Sequence, residues 1–411
     1  MHKVGIDTIS FYTSHYFFDL AHLATLRGID PDKYAVGLGQ YQMAVPPPGE
    51  DIVTMAANAA QRAIRDIDPE SIEMVLFATE SGVDQSKAAG IYVHDLLKLP
   101  ARCRVVELKQ ACYSATCGLQ LALPFLQQNP HKKVLLIASD IARYGLGTPG
   151  EPSQGCGAVA MILSVNPRIL ALEPECGICT ENVMDFWRPN YSDKAFVEGK
   201  YSSKLYLNML EKSWNDYQTL SRRSFEDHSY FCYHTPVSRL VEKAHQLLVR
   251  INDCEKLDDA AMQVLLNPAL KYGRTIGNSY TASLYVSLTS LLDTIENDLS
   301  GKRIGFYSYG SGCMAEYFSG VVQAGYRDVL DTAHHQTMLA HRERLTSLEY
   351  EAFYSFDYPQ DGSHCEIPLY ETGKFRLTAL RDHKRVYEQV VQPTEAKHAA
   401  IHAEALELVE S

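Results

Sequence analysis

Apolar runs four to six residues long alternate along the chain with segments of helical period. Residues 74–79 (MVLFAT), 134–138 (VLLIA) and 158–163 (AVAMIL) carry no charge and are rich in β-formers, as strands covered on both faces must be. Residues 104–108, 230–233 and 303–307 repeat the strand pattern less cleanly, and the N-terminus opens with strand-like alternation. Between them, residues 52–67, 88–97, 115–127, 237–250 and 280–293 read as helices. Residues 329–357 read as helical and charge-rich, and those after about 392 as an exposed tail. Strand and helix in alternation predict an α/β architecture. A composition change at Asn166-Pro167 divides it into residues 1–166 and 167–392, with a tail at 393–411.

Composition narrows the class. The 411 residues are 46% hydrophobic and 21% charged, enough apolar material for one large core or two fused ones. The formal charge of −12, from 38 basic and 50 acidic residues, leaves no footprint for nucleic acid. The longest uncharged run, residues 275–292, holds too many Ser, Thr and Asn to span a membrane and reads as a buried helix. The N-terminus lacks a basic-then-apolar signal pattern, so a soluble, cytoplasmic protein is expected. Ten scattered cysteines do not form a disulfide framework, and the single CxxC, Cys176 to Cys179, reads as two half-buried thiols.

The candidate chemistry lies just past the apolar runs. Glu80 follows residues 74–79. Cys112 follows 104–108 and precedes a helix. His234 follows 230–233, and Gly310-Ser311-Gly312 follows 303–307. Ligands of α/β folds gather at the carboxyl ends of strands, so four separate segments deliver a carboxylate, a thiol, an imidazole and a glycine turn to one kind of place. Each alone has an ordinary explanation as packing, capping or turn; their convergence is the signal. A cysteine at a helix start is a nucleophile whose thiolate the first N–H groups are expected to stabilise. Those N–H groups and the glycine turn would hold a thioester oxyanion. A partly buried carboxylate suits proton removal from an acetyl methyl, and a histidine suits donation to a carbonyl.

The segments around these residues resemble the hydroxymethylglutaryl-CoA (HMG-CoA) synthase family of the thiolase superfamily from about residue 3 to about residue 390. They are GLGQYQMAV (37–45), ATESGVDQSKAA (78–89), ELKQACYSAT (107–116), SDIARYGLGTPGEPSQGCGAVAM (139–161), DFWRPN (185–190), YHTPVSRLVEKA (233–244), GNSYTASLYVSL (277–288) and YGSG (309–312). The resemblance implies a five-layered αβαβα thiolase fold of two similar halves, usually a homodimer, acting in the mevalonate route to isoprenoids. It implies that Cys112 carries an acetyl group from acetyl-CoA, that Glu80 is the general base, and that His234 binds and polarises acetoacetyl-CoA. Asn278 and Ser311 match acyl-contact positions, and Tyr144, Ser153 and Ser202 match pocket positions. Asp84, Asp140 and Asp185 match supporting acids. Lys243 matches a basic residue near CoA, and Arg239 stands where the family usually has lysine, a change that keeps charge but alters phosphate geometry. No metal or prosthetic group is implied.

Three other readings compete. A relative from polyketide pathways uses an acyl carrier protein, and the ELKQACYS and HTP segments lean that way, while GLGQYQMAV, DFWRPN and YGSG lean towards the CoA-dependent enzyme. A thiolase or type III ketoacyl synthase shares the cysteine and histidine, but a decarboxylating synthase needs no base such as Glu80. A non-catalytic acyl-CoA-binding protein predicts the loss of a catalytic position, and all three are present.

Overall fold

The computed structural model describes residues 2–192 and 194–390; the expected tail at 393–411 lies outside them. Nine strands form one continuous sheet: β1 (Val4–Tyr12), β2 (Ile72–Ala78), β3 (Arg104–Leu108), β4 (Lys133–Ala142), β5 (Gly155–Val165), β6 (Leu170–Thr180), β7 (Tyr230–Tyr233), β8 (Arg303–Gly310) and β9 (Met314–Val322). Their order is β7-β8-β9-β6-β1-β5-β4-β2-β3. The order contains the same pattern twice. In the first half β2 and β4 are parallel, and β5 runs antiparallel between β4 and β1. In the second, β7 and β8 are parallel, and β9 runs antiparallel between β8 and β6. Only β3 lacks a counterpart. The halves meet through two residue pairs, Gly5 with Ala171 and Ile6 with Leu170. A Cβ on Gly5 would stand 2.0 Å from the Leu170 carbonyl oxygen, so this junction requires glycine.

The apolar runs form strands because helices cover both their faces. Six helices frame the site: α1 (Ile52–Ala63), α2 (Ala89–Leu96), α3 (Ser114–Gln128), α4 (Gly199–Ser221), α5 (Ser238–Ile251) and α6 (Ser283–Thr294). Asp51 starts α1 with a capping box to Thr54. Leu76, Leu108 and Leu136 face Gly118 of α3, whereas Phe77 and Val105 face Gly90 of α2, the two-residue period of a sheet covered on both sides. Helix α3 packs on the first half-sheet and reaches the second through Tyr113 to Glu316 (2.6 Å) and Thr116 to Ser308 (2.8 Å). Helix α6 touches β1 and β5 on one side and β7 and β8 on the other, while α4 covers β6 and β9 from outside. The layers are therefore helix, half-sheet, helix pair, half-sheet, helix: the expected thiolase-like α/β fold.

Sequence and structure part in places. The run 275–292 is buried but is not one helix: it breaks at Gly277, whose φ of 82° only glycine adopts easily, before a short turn leads into α6. Residues 329–357 hold two helices, Thr332–Ala340 and Ser347–Ser355, joined through an extended segment. Cys176 and Cys179 lie on β6, three residues apart and so on opposite faces; both are free. Among the described residues, no helix is long and apolar enough to cross a membrane.

Candidate active site

Strands β2, β3, β7 and β8 end on the side where the sequence places its polar residues. Between β3 and α3 the chain turns sharply, with Ala111 held at φ 42°, a left-handed conformation unusual for a residue with a Cβ. Ser114 ties this turn, accepting from the Gln110 N–H (2.5 Å) and donating to the Ala111 carbonyl (2.8 Å). The turn delivers Cys112, whose thiol donates to Glu80 Oε1 at 2.9 Å. Glu80 is aimed by Asp140, a fully buried carboxylate at the end of β4. Asp140 Oδ1 accepts from the Thr79 hydroxyl (2.7 Å) and from the N–H groups of Glu80 and Ser81 (both 2.9 Å).

The electrostatics differ from the expected helix-start effect. Burial, and then the neighbouring Glu80 carboxylate, push the Cys112 thiol well above its ordinary range. Helix α3 begins two residues further on, and its first N–H groups do not overcome burial and the charges of Glu80, Asp140 and Asp185. Burial, then the charge of Asp140, raises Glu80 to about 8, while the Cys112 thiol and Arg188 pull it down. At neutral pH the proton thus stays on the sulfur and Glu80 is largely protonated. The resting pair is neutral.

His234 is buried at the end of β7 and held to β8 by its N–H donating to the Tyr307 carbonyl at 2.8 Å. Its Nδ1 lies 2.6 Å from Ser283 Oγ, which also accepts the Thr235 N–H at 3.2 Å. Ser283 has no other acceptor among the described residues, so its hydroxyl satisfies Nδ1 and leaves the ring proton on Nε2. Burial lowers His234 to about 3, which keeps the ring neutral. His234 does not hydrogen-bond Cys112. Its ring stacks on Tyr309 (6.4 Å between centroids), whose hydroxyl donates to Asp185 Oδ2 at 2.7 Å. The charge of Asp185 in turn acts on the Cys112 thiol.

The other expected residues divide. Asp185 also accepts from Ser202 Oγ and from the Gly312 N–H, both at 2.9 Å. The Gly312 N–H is therefore engaged and does not serve as an oxyanion donor as expected. Ser311 offers its carbonyl to Gln110 Nε2 at 3.1 Å, tying the glycine turn to the cysteine turn. Asn278 donates to the Tyr144 hydroxyl at 3.4 Å, and Tyr144 packs against Phe186 and Tyr280. Ser153 donates to the carbonyl of Gly150, the residue packed against the Tyr144 side chain. Asp84 is exposed and caps the Ser86 and Lys87 N–H groups, in the wall of a cavity that Glu80 also lines. On α5, Arg239 pairs with the buried Glu242, and Lys243 is exposed. Ser283, Thr281, Gln110 and Arg188, whose guanidinium bonds the Glu80 carbonyl, were not singled out in the sequence. Their only signal was membership in the motifs GNSYTASL, KQACYS and DFWRPN. Among the described residues, no group of three or more His, Cys, Asp or Glu side chains is placed to hold a metal.

A sheet pattern repeated across two halves, with the cysteine turn set where helices from both halves meet, defines a thiolase-fold enzyme. Sequence profiles of the hydroxymethylglutaryl-coenzyme A synthase N- and C-terminal regions match residues 1–168 and 255–357. The chain belongs to the HMG-CoA synthase family. It is 39% identical to the hydroxymethylglutaryl-CoA synthase of Enterococcus faecalis, over 93% of this chain and 99% of that protein. A solved structure of MvaS in complex with 3-hydroxy-3-methylglutaryl coenzyme A superposes with a TM-score of 0.87 at 37% identity, over 95% of this chain and 99% of that one. The polyketide biosynthesis 3-hydroxy-3-methylglutaryl-ACP synthase of Bacillus subtilis is 33% identical over 86% of this chain and 88% of its own length.

Proposed function

We propose that the protein condenses acetyl-CoA with acetoacetyl-CoA and water to give HMG-CoA and CoA, through an acetyl group carried on Cys112. The 2.9 Å contact between the Cys112 thiol and Glu80 carries the reading, because it gives one carboxyl group access to both the sulfur and whatever acyl group the sulfur holds. As the sulfur attacks the thioester carbon of acetyl-CoA, ionised Glu80 takes the thiol proton and passes it to the CoA sulfur as the old C–S bond breaks. Glu80, ionised again, removes a proton from the acetyl methyl. The resulting enolate attacks the ketone carbon of acetoacetyl-CoA, and neutral His234 donates its Nε2 proton to the developing alkoxide. His234 recovers a proton from Glu80, which held the one taken from the methyl, so that Glu80 is ionised and His234 neutral when water enters. Water then cleaves the Cys112 thioester. Asp140 and Asp185 hold the elements that carry these groups; neither is assigned contact with substrate. The cycle draws on side chains alone and invokes no metal or prosthetic group.

The same reading supplies the remaining expectations. A cysteine that must stay free suits a reducing compartment, the cytoplasm, where the product would feed the mevalonate route. Strand β3 is an open sheet edge with Val106 45% exposed, a surface suited to a second copy of the chain in a homodimer. The deciding experiment supplies the two CoA thioesters alone and identifies the product. HMG-CoA supports the proposal; no product unless acetyl-carrier protein replaces acetyl-CoA transfers the assignment to the carrier-dependent reaction.

A further inference from the structure

Glu80 stands between the nucleophile and a second space. A cavity of about 710 Å³ opens behind it, walled by Glu80, Ser81, Gly82, Glu50, Arg188 and Arg385 among others. Neither Cys112 nor His234 nor Asn278 is in its wall. The cavity therefore comes up beside the general base and the Gln110-Ala111 turn that precedes Cys112, and not through His234 or Asn278.

The wall favours water. It carries the Glu80 and Glu50 carboxyls, the Ser81 hydroxyl and the guanidinium groups of Arg188 and Arg385, so water is not repelled from it.

The proposed reaction requires such a space. After carbon–carbon bond formation the product is tied to Cys112 at one end and still carries its CoA arm at the other. The side by which the substrates arrive is then filled, yet one water must reach the thioester. We propose that the cavity behind Glu80 is the inlet for the hydrolytic water, which reaches the Cys112 thioester past the Glu80 carboxylate. Glu80 takes one water proton as the oxygen bonds to the acyl carbon. The C–S bond breaks, and the proton passes to the departing sulfur, restoring the Cys112 thiol and releasing the acid. Nothing is oxidised or reduced. This inference rests on the proposed condensation.

Gly82 provides the test. A Cβ there meets only Glu107 Oε1, the end of a flexible side chain, at 3.1 Å, so a larger residue is accommodated by the fold and projects into the cavity region. In Gly82→Leu, acetylation of Cys112 by acetyl-CoA alone should match the wild type, while kcat falls about tenfold or more because hydrolysis now limits the cycle. Intact-protein mass spectrometry of enzyme quenched at steady state should then find the HMG-CoA adduct of Cys112 as the main species. Unchanged kcat, or accumulation of acetyl-enzyme instead, overturns the inlet. Should Gly82→Leu fail to acetylate, the same measurement on Gln85→Phe, at the exposed rim, decides. A wild-type protein that makes no HMG-CoA defeats the functional reading itself, a result distinct from turnover in which neither variant builds up the adduct.

Discussion

Thr281 gives both its hydroxyl (2.5 Å) and its N–H (3.1 Å) to Asp140 Oδ2, while Asp140 Oδ1 accepts from the Glu80 N–H. One buried carboxylate thus fastens the base of the first half to the turn before α6 in the second. Its charge also raises the proton affinity of Glu80.

Replacing Asp140 by Asn should have two separable effects. An amide cannot accept from every donor that meets the carboxylate, and each buried group left unpaired costs about 1–3 kcal/mol, so thermal stability falls. Loss of the negative charge should also move the rising limb of the condensation pH profile to lower pH. A profile that keeps its midpoint would show that Asp140 acts on geometry alone.

The wild-type profile itself follows from Glu80. With its carboxyl raised to about 8, the base is mostly protonated at neutral pH, so condensation should rise with pH and level off above about 8. Stability should run the opposite way. A carboxyl raised on folding contributes stability that is fully present below its unfolded value of 4.5 and is lost as pH rises through the folded one. Glu80→Gln should therefore gain stability relative to wild type between about pH 5 and pH 9 in paired thermal melts.

Ser283→Ala tests how His234 is set. Without the hydroxyl the ring can place its proton on Nδ1 and rotate, so use of acetoacetyl-CoA should weaken by about tenfold, within the usual span for a general-acid effect. Acetylation of Cys112 should be unaffected. Since burial keeps His234 neutral, with its value lowered to about 3, no activity limb is expected near pH 6.5 in the wild type.

Tyr113→Phe addresses the seam between the halves. It removes the 2.6 Å bond to Glu316, leaving a buried carboxylate with Gln120 as its remaining amide donor. A loss of about 1–3 kcal/mol in denaturant unfolding is expected. Wild-type stability in the variant would mean that Glu316 is protonated or rehydrated at no cost.

The local sequence carried much of this molecule. Uncharged β-rich runs placed β2, β4 and β5, and residues 104–108 and 230–233 are the strands β3 and β7. The long helix α4 was not foreseen, because a run with as many Lys, Asn, Glu and Ser as its 23 residues contain shows its apolar stripe only once a half-sheet is laid against it. The hairpin of Phe375–Arg381 and Lys384–Gln389 escaped for a similar reason, its charged residues hiding the alternation.

At the site, residue type and position past a strand identified Glu80, Cys112 and His234, since covalent order alone puts them at strand ends. The tertiary structure decided how they work. It joined Glu80 to Cys112 across 32 positions, put Tyr309 between His234 and Asp185, engaged the Gly312 N–H, and set Asp84 to cap an exposed turn. It also reversed the expected effect on the thiol. Proton affinity is set by burial and by charges within a few ångströms, and those neighbours are brought together only by folding: Glu80 and Asp140 by adjacent strands of the first half-sheet, and Asp185 from the second half.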